Sequence, residues 1–262
     1  METLTVYLLL GTAVGIIAGL FGVGGGLIIV PALVFLFRYQ QIFPDSAMHI
    51  AIGTSLATII VTSLSSTFAH HRHGAVLWPA ARSLAPGLLV GTLIGALVAN
   101  MLSMTALRWV FGIFELCVAA QIALDVKPSP HRTLPGAGGM ALVGMVIGAV
   151  SALIGIGGGT LTTPFLLWCN KAIHNAVATS AACGLPIAIG GTFSFAAVGW
   201  NASGNEALTT GYVYWPAAAG IAAATLVFAP LGAKLAHRLS RRTLKRMFAL
   251  LLTLLGIRMM WG

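Results

Sequence analysis

Two stretches of the chain share one pattern, GLFGVGGGLIIVP at residues 19–31 and ALIGIGGGTLTTP at residues 152–164. In each, a run of glycines is followed five residues later by a proline. A glycine inside a helix costs about 1 kcal/mol relative to alanine, so three in a row predict a helix break. Apolar residues flank both runs. The pattern therefore predicts two apolar helical segments, each broken at the same internal position.

The composition around these stretches is that of a membrane protein. Hydrophobic residues make up 58% of the 262 residues and charged residues only 7%, whereas soluble domains have about 25% charged residues. This excludes a cytosolic enzyme, a disordered chain and a disulfide-rich secreted module. The three cysteines have no CxxC spacing and predict neither a disulfide nor a zinc site. We expect an all-α integral membrane protein in which several apolar runs are long enough to span a bilayer.

The glycine–proline pattern belongs to a repeat that covers the whole chain. Two further sets of residues recur in the same order in both halves. They are His49-x4-Thr54-Ser55 with His174-x4-Thr179-Ser180, and Trp78-Pro79-Ala80-Ala81 with Trp215-Pro216-Ala217-Ala218. The matches predict two homologous membrane repeats, residues 1–126 and 136–262, joined by a polar cytoplasmic connector at residues 127–135. Interrupted segments at corresponding positions of two halves indicate a transporter site between them.

The distribution of basic residues favours an inverted arrangement of the two repeats. The densest basic loop, residues 234–246, is expected in the cytoplasm, and its first-half counterpart has only Arg108. If each glycine break is the tip of a re-entrant helical hairpin beside three spanning helices, ten bases lie inside and three outside, and Arg82 stays in a helix. If all eight segments span, the repeats are parallel and the split is nine to four. Both arrangements place the two termini in the periplasm.

The glycine runs also predict where a small anion binds. They expose backbone N–H groups, and a helix that starts just after them adds its positive end. The Thr-Ser pairs of the next helix supply hydroxyl donors. The predicted substrate-binding residues are Gly24, Gly25, Gly26, Thr54, Ser55, Gly157, Gly158, Gly159, Thr179 and Ser180. Bulky residues at Gly25 or Gly158 are expected to block transport in a protein that still folds. The alternative interpretation is close helix packing through small residues.

Four ionisable residues are candidates for coupling or gating. Glu115 is an acid well inside a predicted span, which by default indicates function. Arg82 also lies within a predicted span and could pair with Glu115, which could then relay a proton. A structural ion pair or a subunit contact is the alternative. His49 and His174 recur at helix starts. Their sequence positions fit two alternative roles, a gate and a polar anchor. The histidines at residues 70–73 have no acid or cysteine nearby, so we expect no metal site and no cofactor.

These motifs together resemble the TauE/SafE-type sulfite exporter family, also called the toluene sulfonate uptake permease family. The resemblance rests on residues 19–26 with Pro31, on Gly53-Thr54-Ser55, and on the second-half residues 154–159 with Pro164, 178–180 and Pro186. It covers essentially the whole chain. Ala178 stands where the first copy has Gly53, which weakens close approach in that half. The resemblance implies a bacterial inner-membrane carrier for sulfite or organosulfonate anions.

We therefore expect a multi-pass secondary transporter of the cell inner membrane that exports sulfite or a related sulfur oxyanion. The chain has no nucleotide-binding motif and no HExxH, paired carboxylates or Ser-His-acid set, so we do not expect an enzyme. An anion channel, and an uptake permease for another small anion, are the alternatives. The expected partners are the small anionic substrate and the lipid bilayer, with a homodimer left open. The basic residues form no groove with aromatic residues, so no nucleic acid partner is expected.

Overall fold

The computed structural model describes residues 2–21, 25–125, 132–201, 208–236 and 240–261. The first half contains α1 (Glu2–Phe21), α2 (Gly26–Tyr39), α3 (Ala47–Arg72), α4 (Trp78–Met101) and α5 (Met104–Ala123). The second half contains α6 (Ala137–Ile154), α7 (Gly159–Trp168), α8 (Ile173–Val198), α9 (Trp215–Ala236) and α10 (Arg241–Trp261). A two-residue strand pair, β1 (Thr209–Thr210) and β2 (Val213–Tyr214), precedes α9. The predicted helical character is confirmed.

Seven of the described helices are long and apolar enough to cross a membrane: α1, α3, α4, α5, α6, α8 and α9. The helix α10 has 21 residues but is not among the seven, and α2 and α7 are shorter, with 14 and 10 residues. A span needs about 20 residues. Since α1 and α6 reach that length, helix length alone does not separate the re-entrant arrangement from the eight-span one.

Glycines bring helices of opposite halves into backbone contact. Along α1, a Cβ atom on Gly11 or Gly15 would lie 2.7 and 3.0 Å from the Cα atoms of Ile221 and Thr225 on α9. Higher residue numbers on α1 contact higher residue numbers on α9, so the two helices are parallel. Gly87, Gly91 and Gly95 bring α4 against α6 in the same way. Small residues at every fourth position allow this approach where no hydrophobic effect drives helices together.

The helices α3 and α8 form the buried centre and run antiparallel. A Cβ atom on Gly191, near the end of α8, would lie 2.8 Å from Leu56, and one on Gly184 would lie 2.5 Å from the Ser63 hydroxyl. Higher numbers on α3 thus meet lower numbers on α8. The α3 residues from 47 to 59 are buried without interruption, because α2, α8 and α9 cover that part of the helix.

The two glycine breaks meet at this centre. A Cβ atom on Gly26 would lie 2.6 Å from the Gly155 carbonyl oxygen, which also accepts a hydrogen bond of 2.9 Å from the Ser55 hydroxyl. Gly25 and Gly158 precede α2 and α7 with φ angles of 80° and 74°. L-residues with a side chain rarely adopt this left-handed backbone, so the glycines at these two positions are needed for the chain to turn.

The outer ends of each broken segment also lie together. The Tyr7 hydroxyl near the start of α1 donates to Gln40 Oε1, just after α2, at 2.9 Å. In the second half, the Arg132 N–H ahead of α6 donates to the carbonyl of Trp168, the last residue of α7, at 3.3 Å. The start of α1 therefore lies beside the end of α2, and the segment ahead of α6 lies beside the end of α7.

Candidate functional site

A cavity of about 600 Å³ leads from one end of the molecule to the second glycine break. Its walls come from α3, α5, α7, α8 and α10, that is, from both halves. Apolar groups dominate the walls, and several hydroxyl and amide groups interrupt them. The polar residues without charge are Thr62, Ser63, Ser66, Gln121, Thr160, Thr163 and Ser180. A mostly apolar cavity with a few convergent polar groups is typical of a small-molecule site.

The inner end of the cavity is the start of α7. Gly157, Gly159 and Thr160 line it, and a Cβ atom on Gly159 would meet nothing within 4 Å. The Gly158 carbonyl accepts from the N–H groups of Leu161 and Thr162. The N–H groups ahead of these lie in the first turn, where no intrahelical acceptor exists. The helix start thus offers partial positive charge and unobstructed space.

Hydroxyl groups stand beside this helix start. The Ser180 hydroxyl accepts from Thr163 Oγ1 at 2.9 Å and donates to the Val177 carbonyl at 2.8 Å. Ser63 on α3 faces them from the first half, and its hydroxyl lies 4.0 Å from the position of a Cβ atom on Gly157. A hydroxyl can donate to an anion without the desolvation cost of a buried cation.

Charged groups stand at the outer end of the cavity. Lys245 Nζ on α10 forms an ion pair with Asp125 Oδ1 at the end of α5, and the two side chains are 43% and 57% exposed. His70, near the end of α3, also lines the cavity. An exposed ion pair of this kind contributes about 0–1 kcal/mol to stability. It can therefore open at little cost when a solute passes.

Of the ten predicted binding residues, the second-half set is the one that reaches the cavity. Gly157, Gly159 and Ser180 line it. Gly158 adjoins it, but a Cβ atom there would lie close to Ile187 Cδ1, and the φ angle of 74° already excludes most side chains. A bulky residue at Gly158 would therefore disturb folding, and the same holds for Gly25 with its φ of 80°. The expectation that such variants still fold is corrected by these two backbone angles.

The described residues of the first-half set do not line this cavity. Gly24 lies outside the described residues. Gly25 and Gly26 are buried against Ile29 and against the second glycine break. Thr54 and Ser55 are fully buried, and the Ser55 hydroxyl is bonded to Gly155.

Thr54 and its counterpart Thr179 make the same contact in the two halves. Thr54 Oγ1 accepts from the N–H of Tyr214 at 3.0 Å, and Thr179 Oγ1 accepts from the N–H of Leu77 at 2.9 Å. Each donor is the residue directly before the Trp-Pro pair that starts α9 or α4. The two threonines thus fasten the start of a helix in the opposite half.

An aromatic cluster closes the opposite end of the molecule. The Tyr214 ring contacts those of Tyr7, Phe37 and Phe43, with centroids 5.7, 6.1 and 5.3 Å away. Beside it, the Tyr212 ring stacks on His49 at 5.0 Å. The described residues therefore place an open cavity at one end and a cluster of packed aromatic rings at the other.

The candidate coupling residues are dispersed. His49 is buried, with Nε2 3.0 Å from the Ala99 carbonyl, whereas His174 is exposed. Glu115 is fully buried, and neither of its carboxyl oxygens has a hydrogen-bond partner among the residues that the structure describes. Arg82 is exposed on α4. The suggested Arg82–Glu115 pair is therefore wrong, because the guanidinium lies at the surface and the carboxyl group in the interior. No three His, Cys, Asp or Glu side chains come together in the described ranges.

The two halves also match at α5 and α10, where the residues are similar more often than identical. Five positions of α5 and its cap recur in α10: Ser103, Leu107, Arg108, Phe111 and Gly112 correspond to Ser240, Leu244, Lys245, Phe248 and Ala249. Both serines cap their helices. Lys245 and Phe248 line the open cavity, whereas Arg108 and Phe111 are buried at the closed end.

The Arg108 side chain shows how the closed end differs. Its Nε donates to the Met259 carbonyl at 2.9 Å, whereas the equivalent Lys245 is half-exposed. When Lys and Arg are treated as similar residues, the sequence alone aligns Arg108 with Lys245.

Comparison with known proteins gives one consistent result. Residues 7–259 match the family model described as "Sulfite exporter TauE/SafE". A "Probable membrane transporter protein" of Haemophilus influenzae is 36% identical over 253 residues, covering 96% of each chain. One of Methanocaldococcus jannaschii is 30% identical, covering 98% of this chain and 95% of its own. The Bacillus subtilis protein YunE is 29% identical over 98% of this chain and 97% of its own. No solved structure matches the chain.

Proposed function

The chain belongs to the sulfite exporter TauE/SafE family and is a multi-pass membrane transporter, not an enzyme; from this premise we propose that it carries sulfite or a related small sulfonate out of the bacterial cytoplasm. The observation that carries the proposal is the cavity that ends at the start of α7. Its inner end offers helix N–H groups and the hydroxyls of Ser63, Thr163 and Ser180. These are the groups that an oxyanion requires. Thr163 and Ser180 donate to Ser180 Oγ and to the Val177 carbonyl in this structure, and their hydroxyls turn toward the anion when it binds.

The placement of charge supports an anion that is held moderately. The charged lining residues, Lys245 and Asp125, stand at the mouth, and the inner end has hydroxyls and a helix start instead. A helix end contributes about half a unit of positive charge. A full charge in a low-dielectric site attracts an anion much more strongly and slows its release. The proposed site is thus suited to turnover.

We further propose that residues 1–126 and 136–262 are inverted repeats, each with a re-entrant hairpin. Three observations support this. The equivalent helices α3 and α8 are antiparallel, α1 pairs with α9 as α6 pairs with α4, and Thr54 and Thr179 make equivalent contacts. The adjoining outer ends of α1 and α2, and of α6 and α7, support the hairpins.

The same arrangement gives the orientation. The cavity mouth carries Lys245 from the basic loop, and positive loops stay in the cytoplasm. The cavity then faces inward, and both termini and the aromatic cluster face the periplasm of an inner-membrane protein. The closed aromatic end supports a carrier over the alternative of an open channel. In vesicles, a carrier shows saturation and counterflow of labelled sulfite, and a channel shows neither.

Sulfite binding to purified variants tests the proposed site. Ser180→Ala and Thr163→Val remove cavity hydroxyls, and the loss of a hydrogen bond to a charged group costs about 1.5–3 kcal/mol. We expect weaker binding by roughly ten- to a hundredfold. Ser194→Ala is the matched control, since Ser194 is buried on the same helix but does not line the cavity. Wild-type affinity in both cavity variants would refute the site.

A further inference from the structure

Glu115 is a buried acid that the proposed anion site does not use. It lies in the middle of α5 and is fully buried, and no described residue forms a hydrogen bond with either carboxyl oxygen. The neighbouring helix α10 approaches it closely, because Gly256 stands opposite: a Cβ atom there would lie 3.2 Å from Glu115 Cβ and 3.0 Å from the Gly112 carbonyl oxygen. The carboxyl group is thus enclosed between two helix backbones.

The position of Glu115 relates it to the cavity. Val118 and Gln121 on the same face of α5 line the cavity wall, and Glu115 lies one helical turn deeper, about 4.5 Å along the axis. On α10, Phe248 lines the cavity, and Leu252, fully buried, lies one turn deeper. The carboxyl group therefore stands just beyond the inner wall, at the seam between α5 and α10.

Charged and titratable side chains around this seam have other contacts. On α5 itself, Arg108 donates to the Met259 carbonyl. On α10, Lys245 pairs with Asp125, and the Arg258 guanidinium lies over the Phe35 ring at 5.4 Å.

The other two helices packed against α5 supply no partner either. On α3, His49 is bonded at one end to the Ala99 carbonyl, and His70 lies at the cavity lining with His71 and Arg72 beyond it. The helix α6 contains no titratable residue. Among the described residues, none of these groups bonds to the Glu115 carboxyl group.

The repeat shows that packing does not require an acid here. Aligning Phe111 with Phe248 places Leu252 at the position equivalent to Glu115, and both are fully buried. A leucine fills the equivalent place in the second half, between the same pair of helices. The acid is therefore a departure from the repeat, and it adds an ionisable group where the second half has a leucine.

Burial without a partner decides which form of the acid occupies this place. An ionised carboxylate inside a membrane protein costs several kcal/mol, so it either pairs or takes up a proton. Within the part of the chain that the structure describes, the Glu115 carboxyl group bonds to no cation and belongs to no group of His, Cys, Asp or Glu that could hold a metal ion. The neutral acid is the form that this environment accepts. Loss of the proton requires the α5–α10 seam to open toward water.

We propose that Glu115 is the proton-binding site that couples anion movement to a proton gradient. This rests on the proposed transport of a sulfur oxyanion. One proton binds one carboxylate oxygen, and the same proton leaves after the seam has opened to the other side. An ionised Glu115 just beyond the cavity repels the anion, and the neutral acid does not. Proton and anion therefore favour each other's binding, as linkage requires, and move in the same direction. Export then runs down the cytoplasmic excess of the anion and carries a proton out with it, and an inward proton gradient drives the reverse movement, uptake, which the vesicle experiment measures.

Vesicles that contain the purified protein test this coupling. Labelled sulfite is added outside, with the membrane potential held at zero by potassium and valinomycin. We expect the wild type to accumulate sulfite when the outside is made acidic. Two variants should lose this accumulation: Glu115→Gln, whose amide resembles the neutral acid, and Glu115→Leu, which carries the residue of the second half. Both should still exchange sulfite when the pH is the same inside and outside the vesicles. Glu115→Asp restores the accumulation in part. The protonation of sulfite itself is the same for every variant, so the difference isolates Glu115.

Infrared spectroscopy supplies a readout that needs no substrate. The chain has only five acidic residues, so the carbonyl band of a protonated carboxylic acid at neutral pH can be assigned. The band should be present in the wild type and absent in Glu115→Gln. A wild type without the band, or a Glu115→Leu protein with undiminished gradient-driven accumulation, overturns the proton site. Absence of sulfite exchange in the wild type instead overturns the proposed substrate. In that case the infrared band alone tests whether Glu115 carries a proton.

Discussion

Replacing Gly159 by alanine separates anion binding from folding. Gly159 is the first residue of α7, has no positive φ, and a Cβ atom there would meet nothing within 4 Å. Alanine is favoured over glycine in a helix by up to about 1 kcal/mol, so the thermal stability of the purified protein should not fall. The added methyl group, however, occupies the space in front of the α7 start, where the anion is proposed to bind.

The loss of affinity follows from the groups that the methyl group covers. Displacing the anion from one N–H donor removes a hydrogen bond to a charged group, worth about 1.5–3 kcal/mol. This corresponds to a roughly ten- to hundredfold weaker sulfite affinity, measured by calorimetric titration of the purified protein. Gly159→Val should bind less well still, since its side chain extends further into the cavity.

The equivalent residue of the first half is the matched control. A Cβ atom on Gly26 would lie 2.6 Å from the Gly155 carbonyl oxygen, so Gly26→Ala forces the two glycine breaks apart. Overpacking of this kind costs about 1–3 kcal/mol, and we expect a lower unfolding temperature. If Gly159→Ala and Gly159→Val both bind sulfite as the wild type does, the start of α7 is not the anion site. If Gly26→Ala is as stable as the wild type, the described contact between the breaks is refuted.

Three further changes test the mouth, the orientation and the helix packing. Lys245→Gln should weaken sulfite binding by about two- to fivefold at low salt, because one exposed charge contributes no more than this. Lys171→Gln, outside the cavity lining, should leave binding unchanged. Equal effects of the two variants would contradict a role of Lys245 in attracting the anion to the cavity mouth. In a variant without native cysteines, His73→Cys should react with an impermeant thiol reagent only from the cytoplasm and Met101→Cys only from the periplasm; periplasmic labelling of both would contradict the inverted repeats. Gly91→Val places a side chain against the α6 backbone and should lower the unfolding temperature in detergent, and unchanged stability would remove this packing contact.

The helices and their breaks could be predicted because local sequence determines them. The apolar runs at residues 46–70 and 173–200 predict helices whose ends lie within two residues of those of α3 and α8. The glycine runs predict the turns at Gly25 and Gly158. These features depend on backbone preferences and on the length of a hydrophobic stretch. Neither requires knowledge of the tertiary structure.

The openness of one glycine break could not be predicted. The two halves are nearly equivalent in sequence, yet Gly159 borders a cavity and Gly26 is buried. That difference belongs to one conformation of the whole molecule, and a symmetric pattern contains no information about it. Ser63 and Thr163 were missed for a related reason: a single hydroxyl in a membrane helix most often satisfies its own backbone, and only the tertiary structure shows that these two face a cavity.

The pairing of α1 with α9, and of α4 with α6, has a consequence for how the chain is made. The glycine face of α1 finds its partner only after α9 has been synthesised, and α9 begins at Trp215, long after α1 has ended at Phe21. At a ribosomal rate of 5–20 residues per second, this interval lasts roughly 10–40 s. During that time, the first helix inserted must remain in the bilayer without its partner. The insertion machinery, or lipid alone, has to protect its bare backbone surface, and the first half expressed by itself should be degraded unless the second half is supplied with it.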